Sequence, residues 1–103
     1  MYDRLIKGNK VNSGTITVAS ADVTLIRAAN PRRVRLTVQN TDDGNYVSIG
    51  GPELVADEGL SLTYGAADFD GTGGRFTFVS QGAIYGIADT ADCIVTFVEE
   101  VNE

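Results

Sequence analysis

Histidine and tryptophan are absent from this 103-residue chain, and cysteine and methionine occur once each. Without histidine, neither a Ser-His-Asp nor a Cys-His arrangement can form, and the commonest zinc ligand is missing. Cys93 is the only cysteine. It excludes an intramolecular disulfide, has no histidine to activate it, and reads as a small buried hydrophobe. Long apolar runs are also missing: none approaches the roughly 18 residues that suggest a membrane span. Met1-Tyr2-Asp3-Arg4 does not open a signal peptide. The expectation is a soluble cytosolic product with no membrane partner.

Basic residues are few. Eight Lys and Arg stand against fourteen Asp and Glu, for a net charge of −6, which argues against nucleic acid, since phosphate neutralisation needs clustered cations. The distribution along the chain is uneven. Residues 1–35 hold seven of the eight basic residues against Asp3 and Asp22, a balance of +5, whereas residues 36–103 hold Arg75 against twelve carboxylates, a balance of −11. Such asymmetry suggests an electrostatically directed contact, although side chains of both signs can also intermingle on a solvated surface.

What the chain has in abundance is short segments of Val, Ile, Thr, Phe and Tyr, separated by turn residues about 8–12 residues apart, the pattern of a sandwich or barrel. Residues 1–14 are polar and without period, and read as an N-terminal arm ahead of a single β-sandwich domain over 15–103. Eight strands follow, over Thr15–Ala19, Val23–Arg27, Arg33–Asn40, Tyr46–Ile49, Leu60–Tyr64, Arg75–Val79, Ala83–Ala88 and Cys93–Glu99. The clearest is Arg33–Asn40, where alternation puts Val34, Leu36 and Val38 on one face and Arg33, Arg35, Thr37 and Gln39 on the other. Cys93–Glu99 is apolar on both faces, with Cys93, Val95 and Phe97 opposite Ile94, Thr96 and Val98. A strand of that kind is covered on both sides, by the amino-terminal arm or a loop of its own domain or by another subunit. The fold class is therefore an antiparallel β-sandwich or jelly-roll-like barrel.

Candidate chemistry is thin. Asp42/Asp43, Asp57/Glu58, Asp68/Asp70 and Asp89/Asp92 pair carboxylates in loops, where small β proteins place acids routinely. Asp68-Phe69-Asp70-Gly71-Thr72-Gly73-Gly74 spaces its oxygens like a calcium loop, but Val79 stands where the bidentate Glu belongs. Its glycines lack the Lys-Ser/Thr ending of a phosphate cradle. Tyr46, Tyr64, Tyr85 and Phe69 offer rings for a sugar platform, Phe69 above all because it sits in a Gly-rich loop. No cofactor, metal or catalytic residue is expected, and the chain reads as no enzyme; a carboxylate-dependent hydrolase is the remaining catalytic alternative.

Ile26-Arg27-Ala28-Ala29-Asn30-Pro31-Arg32-Arg33, Val34-Arg35-Leu36-Thr37-Val38-Gln39-Asn40, Tyr46-Val47-Ser48-Ile49-Gly50, Asp57-Glu58-Gly59 and Ala83-Ile84-Tyr85-Gly86-Ile87-Ala88 follow one another before the final strand. In that order, over about residues 15–99, the chain resembles small β-sandwich virion structural proteins of tailed bacteriophages, among them capsid decoration or cement proteins. The resemblance implies an assembly role on the virion, commonly as a homotrimer, with the major capsid protein as partner. A carbohydrate- or receptor-binding module of a fibre or tail is the alternative. The residues expected at subunit contacts are Arg33, Arg35, Ile94 and Val98, with Phe69 as the loop candidate for a ligand.

Overall fold

The structure, a computed structural model, describes residues 10–55 and 58–102. They form eight strands and no helix: β1 (Lys10–Val18), β2 (Thr24–Arg27), β3 (Arg33–Asn40), β4 (Val47–Gly50), β5 (Leu60–Leu62), β6 (Arg75–Phe78), β7 (Ile84–Ala88) and β8 (Cys93–Val101). Six of the seven connections pass from one sheet to the other, which gives two four-stranded sheets ordered β1-β8-β3-β6 and β2-β7-β4-β5. Every pairing is antiparallel. This is the strand order of a jelly roll, two Greek keys folded face to face.

Side-chain alternation decides the facing. Along β8, Cys93, Val95, Phe97, Glu99 and Val101 turn inward, and the intervening residues turn out. Val18, Leu36 and Val38 of the first sheet meet Ile26, Val47, Ile49, Leu62, Ile84 and Ala88 of the second to make the core. Each large aliphatic side chain taken out of water there contributes about 1.5–3 kcal/mol, the drive that holds the sheets together.

Strand direction alternates, so the connections gather at two ends. The upper end carries 19–23, 41–46, 63–74 and 89–92. The lower end carries 28–32, 51–55, 58–59 and 79–83, together with the start of β1 and the finish of β8.

The structure moves the arm boundary. Lys10–Gly14, expected in an arm over 1–14, are the first half of β1, paired without a break to Val101–Phe97 of β8. Asn12 and Gly14 hide the strand period because they take inward positions normally given to apolar residues. Asn12 points inward to donate to Glu99. Gly14 lies under the Phe97 ring, where an added Cβ would come within 2.9 Å of Cζ. Residues 1–9 lie outside the described residues.

β3 brings a second correction. Its pairing with β8 shifts between Arg33 and Arg35, a bulge that sets the two residues on opposite faces. Arg33 is buried and Arg35 exposed, so the shared arginine face expected from strict alternation does not exist.

Candidate functional site

At the lower end, the inward turn of Arg33 and Glu99 builds an ionic cluster inside the sandwich. Glu99 is fully buried. Its Oε1 accepts from Arg27 Nε at 3.0 Å and Nη2 at 2.8 Å, and its Oε2 accepts from Arg33 Nε at 2.9 Å. Asn12 Nδ2 donates to Oε1 at 3.2 Å. Arg33 spends its remaining donors on backbone carbonyls of Ala28, Ser80 and Gly82. The Arg27 guanidinium lies 4.8 Å from the centre of the Phe97 ring, a cation–π contact. Burial pushes the Glu99 carboxyl up, but the hydrogen bonds from Arg27, Arg33 and Asn12 and the charge of Arg27 outweigh it and hold the group below its ordinary value. Among the described residues every buried side-chain nitrogen and oxygen has a partner, and the cluster's charges are matched to one another. Arg33, expected at a subunit contact, belongs to this internal cluster instead.

The upper end is organised by Asn40. Its Nδ2 donates to the carbonyls of Asn45 and Leu62, and its Oδ1 accepts from the Asp42 amide at 3.0 Å and the Cys93 thiol at 3.3 Å. Asp42 Oδ2 accepts from the amides of Gly44 and Asn45 and caps that turn. Burial pushes the Cys93 thiol up to about 12, and the Asp42 carboxylate adds to the effect. A thiol so placed forms almost no thiolate, the species that attacks and ligates. All aspartates of the described residues, Asp22, Asp42, Asp43, Asp68, Asp70, Asp89 and Asp92, stand in the upper connections. Among the described residues no three metal-ligating side chains converge.

The 65–74 loop is held in one shape. Asp70 accepts from the Thr72 amide and hydroxyl and from the Ala67 amide, and these bonds hold its carboxyl below the usual range. Gly65 and Phe69 donate their amides to the carbonyls of Asp42 and Thr41. Gly73 packs so closely that a Cβ there would overlap the Asn40 carbonyl oxygen. The result presents Phe69 to solvent, 58% exposed, in a left-handed backbone conformation with φ 59° that a bulky L-residue rarely adopts. Tyr46 and Tyr64 are exposed at the same end but meet edge to face, centroids 5.3 Å apart, so together they make no flat platform. Tyr85 is half-buried.

Arg35, Ile94 and Val98 share the outward face of the first sheet. Rows across its four strands read Ser13, Val98, Thr37, Thr77 and Thr15, Thr96, Gln39, Arg75. The Thr37 and Thr77 hydroxyls bond at 2.8 Å, and Arg35 pairs with Glu100 at 3.3 Å. The expected cover over the outer side of β8 is not supplied by the described residues: β1 lies beside β8, not over it, and Val98 remains 41% exposed. Sequence reasoning missed the buried cluster because its partners are far apart in the chain; the signal within reach was Glu99 at an inward position of an otherwise apolar strand.

No protein-family model matches the chain, and no curated protein does. Among solved structures it is similar to a chain described in the words "Bacillus endospore appendages form a novel family of disulfide-linked pili", at a TM-score of 0.50 and 14% identity, over 91% of this chain and 87% of that one. At that identity the likeness is one of fold.

Proposed function

We propose that the chain is a structural subunit of a phage particle, a decoration protein that binds the capsid as a homo-oligomer and strengthens it by bridging neighbouring subunits. The observation that carries this reading is the outward face of the first sheet. It is four strands wide, its central rows carry Ser13, Thr15, Thr37, Thr77, Thr96 and Val98, and its charges stand toward the margins, the Arg35–Glu100 pair at the lower end and Arg75 on the β6 edge. Surfaces of that kind suit protein contact, where charged residues are depleted from the centre. Several such contacts held in one oligomer give avidity without a large single interface. The likeness to a pilus chain fits a structural role, but Cys93, the sole cysteine, is buried, so the assembly proposed here is non-covalent. The test is to purify tailed particles from a lysate of the bacterium that carries this gene, look for the chain by mass spectrometry, and locate it by cryo-EM. Density on the capsid surface supports the reading; absence from every particle band sinks it.

Phe69 favours a second reading, a carbohydrate- or receptor-binding module of a fibre or tail. A left-handed conformation costs a bulky residue about 1–2 kcal/mol, and such outliers gather at ligand clamps. Under this reading Phe69→Gly, which removes the strain along with the ring, abolishes binding to a glycan array while the domain stays folded. Under the first reading the same variant binds capsids as the wild type does.

A further inference from the structure

We infer that copies of this chain join side by side through the first sheet, β1 of one copy adding to β6 of the next; this rests on the assembly reading above and specifies its contact. A sheet edge presents unpaired backbone N–H and C=O groups, and proteins that stay apart protect their edges with short strands, bulges, proline or charge. The second sheet does so. Its edge β2 has four residues and a bulge between Leu25 and Arg27, and its edge β5 has three residues and follows Glu58. In the first sheet β6 is equally short, four residues opening on Arg75, and β1 is the edge left without such protection. β1 is nine residues long, unbroken in register and free of proline, and its single charged residue is Lys10 at the start.

Charge marks the same two edges. In a chain of net charge −6, a second copy is repelled by most of the surface, yet no Asp or Glu occurs between Asp3 and Asp22 or between Asp70 and Asp89. β1 lies in the first of these stretches and β6 in the second. Apolar surface points the same way. Phe76 and Phe78 form an edge-to-face pair at 4.9 Å on the inward side of β6, Phe76 is 44% exposed and Val79, just past the strand, is 82% exposed. Ile16, on the inward side of β1, is only partly buried in its own core.

Strand direction makes the contact possible without rearrangement. β1 and β3 run one way, β8 and β6 the other. A copy placed alongside by rotation about an axis parallel to the strands keeps its direction, so its β1 arrives antiparallel to β6. The inward side of that β1 then continues the inner face of the sheet and sets Ile16 beside the Phe76–Phe78 pair. The contact is head-to-tail, which closes into a ring, such as a trimer, when the rotation allows and otherwise continues as a filament.

The test uses two variants of the full chain. Thr15→Asp with Thr17→Asp charges β1, and Thr77→Asp with Val79→Asp charges β6; all four residues are exposed. Light scattering at micromolar concentration is expected to give an oligomer for the wild type and the one-chain mass of 10.9 kDa for each variant. An equal mixture of the two is expected to give the two-chain mass and nothing larger, because one good β1 and one good β6 remain. Persistence of the wild-type mass in either variant, a dimer of the β6 variant alone, or a mixture that stays at one-chain mass overturns the contact. Should either pair prevent a cooperative melt, Thr15→Lys and Val79→Lys carry the same test. A wild type of one-chain mass overturns the assembly reading as well, whereas a wild-type oligomer indifferent to both variants overturns the β1–β6 contact alone.

Discussion

Glu99 sits between two guanidinium groups with no exposure of its own, and the consequences of altering it follow from the balance of charge inside the sandwich. Glu99→Gln keeps the shape but leaves Arg33, whose side chain is also wholly buried, without its counter-charge. Removing one partner of a buried pair costs about 3–5 kcal/mol, so the urea midpoint of this variant should fall sharply with no change in slope. The same residue predicts a pH dependence. Because the folded carboxyl titrates below its ordinary value of 4.5, its contribution is fully present above that value and is lost as the pH falls through the lower, folded one. Wild-type stability should therefore decline below pH 4.5 more steeply than that of Glu99→Gln, measured as urea midpoints across the acid range. Equal slopes would show that the group is not held ionised by its partners. Arg35 makes the contrast: it meets Glu100 on the half-exposed outer face, where a pair is worth about 0–1 kcal/mol.

β1 shows what an element gains from a residue that looks out of place. Gly14 closes the stretch expected as an arm, yet it is a mid-strand residue whose missing side chain leaves room for the Phe97 ring. Gly14→Val raises strand propensity and still should destabilise the domain by about 1–3 kcal/mol through overpacking, visible as a lower melting temperature. Removing residues 1–14 should also lower it, because Val101, Glu99 and Phe97 lose their partners on β1; a truncated chain that melts as the full one does would restore the idea of a separate arm. The all-β class, the eight strands and their approximate bounds were legible in the sequence, since alternation over Val34–Asn40 and Cys93–Val98 reports directly on burial. Strict alternation failed at Arg33–Arg35 because one extra residue in a bulge reverses every side chain before it. It failed at Asn12 because the inward partner of that side chain lies 87 residues away. Of the expected contact residues, Ile94, Val98 and Arg35 do lie outward on one face, and Arg33 does not.

The whole molecule turns an uneven charge pattern in the chain into an uneven charge pattern in space. The described aspartates stand at the upper end with Arg75, while Lys10, Arg27, Arg32, Arg33 and Arg35 lie toward the lower beside Glu53, Glu58, Glu99 and Glu100, which leaves that end close to neutral. Several of these charges are already spent, Arg27 and Arg33 on Glu99 and Asp42 and Asp70 on backbone amides, so the asymmetry is in part architecture and only in part available to a partner. The placement of β8 has a consequence of another kind, in time. β8 comes last in chain order, yet it is an interior strand of the first sheet, flanked by β1 and β3. Until it is in place, β1 has no partner within its sheet and β3 only the short β6. The pairing of Lys10 with Val101 further requires the two far ends of the described chain to meet before the sheet can close. Folds dominated by such distant pairings mature in milliseconds to seconds, not microseconds. During synthesis β1 therefore waits with both of its edges unpaired, and the arrival of β8 covers one of them and leaves the other open.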